Sequence, residues 1–69
     1  MDDTTDFVIY CIEEYKSAEK LSGKAVIELF NRYSVLDYIR TCYGALHTTG
    51  RQYIVDDLNQ FISARQHTN

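Results

Sequence analysis

Leu46-His47-Thr48-Thr49-Gly50-Arg51-Gln52-Tyr53-Ile54-Val55-Asp56-Asp57-Leu58 is the stretch on which the fold turns. As a junction between two helices, Thr49-Gly50-Arg51-Gln52 fits the Ser/Thr-x-x-Glu/Gln capping box. Ile54, Val55, Leu58, Phe61 and Ile62 then recur at the three- and four-residue spacing of one helix face. Tyr53-Ile54-Val55 is also a locally β-prone run, so the helix has a second possible start at Asp56. The longer periodicity predicts a helix over about 50–65 and leaves Tyr53–Val55 open between helical and extended.

Upstream, the same pattern repeats. Val35, Leu36, Ile39, Cys42, Tyr43 and Leu46 form a stripe over 35–47. Ser34-Val35-Leu36-Asp37 precedes it as a capping box with Asp in the place of Glu. Val26, Leu29, Phe30 and Tyr33 mark a helix over 23–33, with Ser22 as its N-cap. Phe7, Val8, Cys11, Ile12, Tyr15 and Ala18 mark one over 6–20, with Thr4 or Thr5 as N-cap and acids in its first turn. No proline and three glycines leave few breakers. The expectation is an all-α fold, a compact bundle of four short helices (about 6–20, 23–33, 35–47 and 50–65). It forms a single helical domain over 1–69 with frayed ends at 1–4 and 66–69.

Size sets the energetic problem. Below roughly 70–80 residues one core rarely supplies more than about 3–5 kcal/mol, and this chain has 69 residues. Two cysteines allow at most one bridge, so a partner or a second copy is expected from size alone. Unframed cysteines suit a reducing compartment. The acidic start lacks the basic region of a signal peptide, and no apolar run approaches the ~18 residues of a membrane span. The expected location is the cytoplasm, without membrane contact.

Charge is uneven. Residues 1–15 carry Asp2, Asp3, Asp6, Glu13 and Glu14 and no base, a net of -5; residues 16–69 carry seven Lys/Arg against five Asp/Glu, a net of +2. The bases stand singly, without the patch that phosphate neutralisation requires, so nucleic acid is not an expected partner. The acidic first helix suits a basic cleft on another molecule.

Few residues offer chemistry. His47 sits where a helix C-terminus welcomes a donor or cation, and Thr48 and Thr49 are placed to cap. Cys11 and Cys42 lie on apolar stripes. Glu13-Glu14 and Asp56-Asp57 diverge by about 100° on a helix and do not converge on one point. No phosphate loop, CxxC, HExxH or nucleophile elbow occurs. No catalytic residue, cofactor or metal site is expected, and the chain reads as no enzyme. The functional signal lies in the six tyrosines. Tyr10, Tyr38 and Tyr53 fall at or beyond the edge of their stripes, as do Ile9 and Ile27. Tyrosine brings apolar area and a polar tip to interfaces. Ile9, Tyr10, Ile27, Tyr38 and Tyr53 are therefore the expected partner-binding residues, and His47, Thr49 and Gly50 mark a junction that is a second contact candidate.

The segments Phe7–Tyr15, Leu21-Ser22-Gly23-Lys24, Leu29-Phe30, Val35–Ile39, Leu46-His47-Thr48-Thr49-Gly50, Asp56-Asp57-Leu58 and Phe61-Ile62 together resemble a family of small bacterial proteins known only as a domain of unknown function. The resemblance covers about Asp6 to Ile62. It implies a helical, non-enzymatic protein. It also implies similarity to small reading frames beside predicted ADP-ribosyltransferase-like toxins, hence an antitoxin-like or accessory role.

The reading that results is a non-catalytic, cytoplasmic protein-interaction module, antitoxin-like, that masks a partner enzyme such as a neighbouring-gene toxin. Two alternatives stand beside it. One is a small DNA-binding regulator with a helix-turn-helix over about 22–43, for which the third helix offers only Arg40 with Asp37 and Thr41. The other is a structural homo-oligomer, for instance a homodimer, paired through its tyrosines.

Overall fold

The computed structural model describes residues 3–66 as five helices in the order α1 (Asp3–Glu19), α2 (Gly23–Arg32), α3 (Val35–Thr41), α4 (Tyr43–Leu46) and α5 (Arg51–Gln66). Among the described residues there is no strand, and Tyr53–Val55 is helical. The all-α class is as read from the sequence; the third helix is not one element but two. Thr41, Cys42, Tyr43 and Gly44 are all weak helix formers. The backbone leaves helical geometry at Cys42, with φ -98° and ψ 13°, although its N–H still bonds the Tyr38 carbonyl at 2.9 Å.

Three of the expected caps are replaced by other devices. Thr4 and Thr5 lie inside α1, which begins at Asp3. Ser34 has φ 57° and ψ 36°, in the left-handed region, and makes no side-chain cap; a capping box needs extended backbone at that position. Thr49 is not the N-cap of α5. Its hydroxyl donates to the Leu46 carbonyl at 2.7 Å, closing α4, while the Gly50 carbonyl accepts from Ile54 N at 3.1 Å and so begins α5. Gln52 reaches forward to Asp56 at 3.0 Å instead of back to the cap. Ser22 caps α2 as expected, its hydroxyl accepting from Ala25 N at 3.1 Å. At the end of α1, Lys20 has φ 56° and Leu21 N bonds the Lys16 carbonyl at 3.1 Å, the six-to-one bond of a Schellman ending. Of the ends expected to fray, Asp3, Thr4 and Gln66 are helical; residues 1–2 and 67–69 lie outside the described residues.

The stripes converge on one core. Val8, Cys11 and Tyr15 of α1 meet Val26 and Phe30 of α2, Val35 and Ile39 of α3, and Ile54, Val55, Leu58 and Ile62 of α5. Phe7, Ile12, Leu29, Tyr33, Leu36, Tyr38 and Phe61 pack around it, half-buried. Ala18, placed on the first stripe by its spacing, is exposed. The α1 helix touches α2, α3 and α5, so it is the spine of the domain. The radius of gyration, 11.3 Å, equals the roughly 11 Å of a close-packed chain of this length.

Candidate interaction surface

Two of the candidate residues belong to an aromatic row that runs from α1 to the α4–α5 junction. The Tyr10 ring stacks on Phe7 with centroids 6.0 Å apart, Phe7 meets Tyr43 edge-on at 5.5 Å, and Tyr43 stacks on His47 at 4.4 Å with the planes 6° apart. His47 Nδ1 lies 2.7 Å from the Tyr43 carbonyl. A carbonyl only accepts, so Nδ1 carries the proton and the ring is held at the C-terminus of α4. The Thr48 hydroxyl donates to the Ala45 carbonyl at 3.2 Å and completes the turn. Gly50 has no positive φ, and a Cβ there would meet nothing within 4 Å, so the junction does not require glycine on steric grounds.

The α1–α5 seam is polar and specific. Arg51 pairs with Glu14 at 3.1 Å. The Tyr15 hydroxyl donates to Asn59 Oδ1 at 2.6 Å, and the same amide donates to Glu19 at 3.3 Å. Burial, with the nearby Glu19 charge adding to it, pushes the Tyr15 hydroxyl up from its ordinary range. Among the described residues no buried side-chain nitrogen or oxygen lacks a partner. Burial also pushes the Cys11 thiol up to about 12, which keeps it protonated and unreactive at neutral pH.

The five candidate partner-binding residues sit on four helices. Ile9 and Tyr10 lie side by side on α1, 49% and 43% exposed; Ile27 is on α2 at 38% and Tyr53 on α5 at 59%. Leu21, in the α1–α2 turn, is also exposed, a position that helical periodicity does not reach. Tyr38 differs from the rest. Its hydroxyl donates to Asp57 Oδ2 at 2.5 Å and its ring stacks on Phe61 at 4.0 Å, so it is half-buried and tied to α5. The Asp57 hydrogen bond, then burial, hold its hydroxyl well above the ordinary tyrosine range. Beside it, an open groove between α3 and α5 is lined by Ser34, Asp37, Thr41 and Arg65, with Arg65 4.4 Å above the Phe61 ring. Tyr53 forms an outer stripe of α5 with Asp56, Asp57 and Gln60.

Among the described residues, no group of three or more His, Cys, Asp or Glu side chains is arranged to hold a metal ion. No helix is long and apolar enough to cross a membrane.

The family model described as "Protein of unknown function (DUF3791)" matches residues 6–65. The chain belongs to this family. The match spans α1 to α5 and includes every candidate residue above. No curated protein and no solved structure matches the chain significantly.

Proposed function

We propose that this DUF3791 protein is a non-catalytic protein-interaction module that acts by covering a partner enzyme, in an antitoxin-like role. The observation that carries the proposal is the exposure of large apolar side chains on a very small domain. Among the described residues, Ile9, Tyr10, Leu21, Ile27 and Tyr53 all face solvent, five large apolar side chains left outside a core of twelve. A single exposed Leu means little, but adjacent exposed Ile and Tyr on one helix are what an interface needs. The polar groups support the same reading. His47 is spent on closing α4 and Tyr38 on bracing Asp57, while Glu13-Glu14 and Asp56-Asp57 diverge along their helices. The antitoxin-like element rests on the family resemblance to reading frames beside ADP-ribosyltransferase-like toxins. The proposed setting is the cytoplasm, which suits the free thiols of Cys11 and Cys42.

The test is co-expression of the tagged chain with the product of the adjacent gene. A stoichiometric complex, together with relief of any growth defect that product causes, is expected. The absence of both complex and relief would overturn the proposal.

A further inference from the structure

The α1 helix has two faces with separate uses. Val8, Cys11 and Tyr15 commit one face to the core. Asp6, Ile9, Tyr10 and Glu13 are all exposed, and their spacing of i, i+3, i+4 and i+7 places them together on the outer face. That spacing is the one by which a helix lays anchors into a groove. Two apolar anchors sit between two carboxylates, with Asp3 exposed one turn earlier. Toward the C-terminal end, Lys16 and Lys20 offset Glu14 and Glu19, with Lys16 pairing with Glu13 at 3.6 Å, so the net negative charge of α1 lies in its first three turns. Tyr10 is not a loose side chain: the Phe7–Tyr43–His47 row backs its ring. An anchor already held in place loses less freedom on binding.

We propose that this outer face of α1 is the docking surface, and that its occupant is a partner protein with an apolar groove rimmed by Lys or Arg. This rests on the interaction-module reading and narrows it to one helix. Charge complementarity selects the occupant. A second copy meeting this face across a two-fold axis would bring Asp6 and Glu13 against the same acids, and like charges in register oppose association. A basic rim turns those carboxylates into steering and register contacts, while Ile9 and Tyr10 fill the groove.

The test places a photo-crosslinking phenylalanine analogue at position 10, and separately at position 53, in the full chain in its host, with the crosslinked peptides mapped by mass spectrometry. The expected result is one heterologous protein joined through position 10, at a segment of apolar residues flanked by Lys or Arg. Combining Asp6→Asn with Glu13→Gln is expected to lower that yield roughly tenfold, through lost steering, with the helical circular dichroism unchanged. Crosslinking through position 53 alone would overturn the α1 surface and leave the module reading standing. Crosslinks only between copies of the chain would overturn the choice of occupant. No protein crosslink from either position would overturn both.

Discussion

The Tyr38 hydroxyl donates to Asp57 Oδ2 at 2.5 Å while its ring stacks on Phe61 at 4.0 Å, so one side chain ties α3 to α5 twice. The Tyr38→Phe substitution keeps the stack and deletes the bond to a carboxylate. A hydrogen bond to a charged group contributes about 1.5–3 kcal/mol, and partial exposure brings the expected loss to about 1–2 kcal/mol. Urea denaturation measures it. A loss under about 0.3 kcal/mol would mean that the bond adds nothing beyond solvation. Because Tyr38 braces the fold, partner affinity of the folded Tyr38→Phe protein is expected to match wild type.

Stability is expected to fall at alkaline pH, with two onsets. The Cys11 thiol titrates near 9 in an unfolded chain and near 12 when folded, and the Tyr15 and Tyr38 hydroxyls are raised from an ordinary value of 10. Above each unfolded value the folded state holds the extra proton, so unfolding releases it and stability drops as pH rises. The stabilisation is whole below about pH 9 and declines first through Cys11, then through the tyrosines. Urea midpoints between pH 8 and 10 check the sign. Cys11→Ala should flatten the decline between pH 9 and 10; an unchanged slope would place the titrating group elsewhere.

Two substitutions at helix ends should move stability in opposite directions. Lys20 occupies a left-handed position, φ 56°, at the Schellman ending of α1, where glycine has no Cβ to strain. Lys20→Gly is expected to stabilise by about 0.5–1 kcal/mol. Ser22→Ala, which removes the cap on Ala25 N, is expected to cost about 1 kcal/mol. Thermal melts of both variants decide the matter; destabilisation by Lys20→Gly would contradict the ending described for α1.

The core leaves little margin. Phe30 and Leu58 are fully buried, and truncating such a side chain to alanine costs about 2–5 kcal/mol. A chain this short holds about 3–5 kcal/mol in all. Phe30→Ala is therefore expected to leave the isolated chain largely unfolded by circular dichroism, and partner binding should restore helicity by mass action. A cooperative native-like melt of Phe30→Ala alone would show a larger reserve of stability.

The helices were legible because burial imposes a period on the sequence. Val8, Cys11 and Tyr15, like Ile54, Leu58 and Ile62, recur at that period and are buried. The ends of the elements were less legible. Whether Ser34 or Thr49 caps a helix depends on backbone dihedrals fixed by packing of the flanking helices, so identical serine and threonine chemistry serves other ends. The break at Cys42 is likewise a small dihedral departure within an unbroken apolar stripe. Edge positions on a stripe predicted exposure for Ile9, Tyr10, Ile27 and Tyr53. They did not predict that Tyr38 would find Asp57, because a pairing across nineteen positions comes from the α3–α5 packing.

The outer face of α1 is the proposed docking surface for a partner protein. Its most direct test is calorimetric titration of the purified co-expressed partner with wild type, Tyr10→Ala and Tyr53→Ala, each confirmed folded. Interface anchors contribute about 2 kcal/mol or more, so Tyr10→Ala should weaken binding by roughly thirtyfold or more while Tyr53→Ala binds within about twofold of wild type. Unchanged binding by Tyr10→Ala, with the loss falling on Tyr53→Ala, would contradict the account.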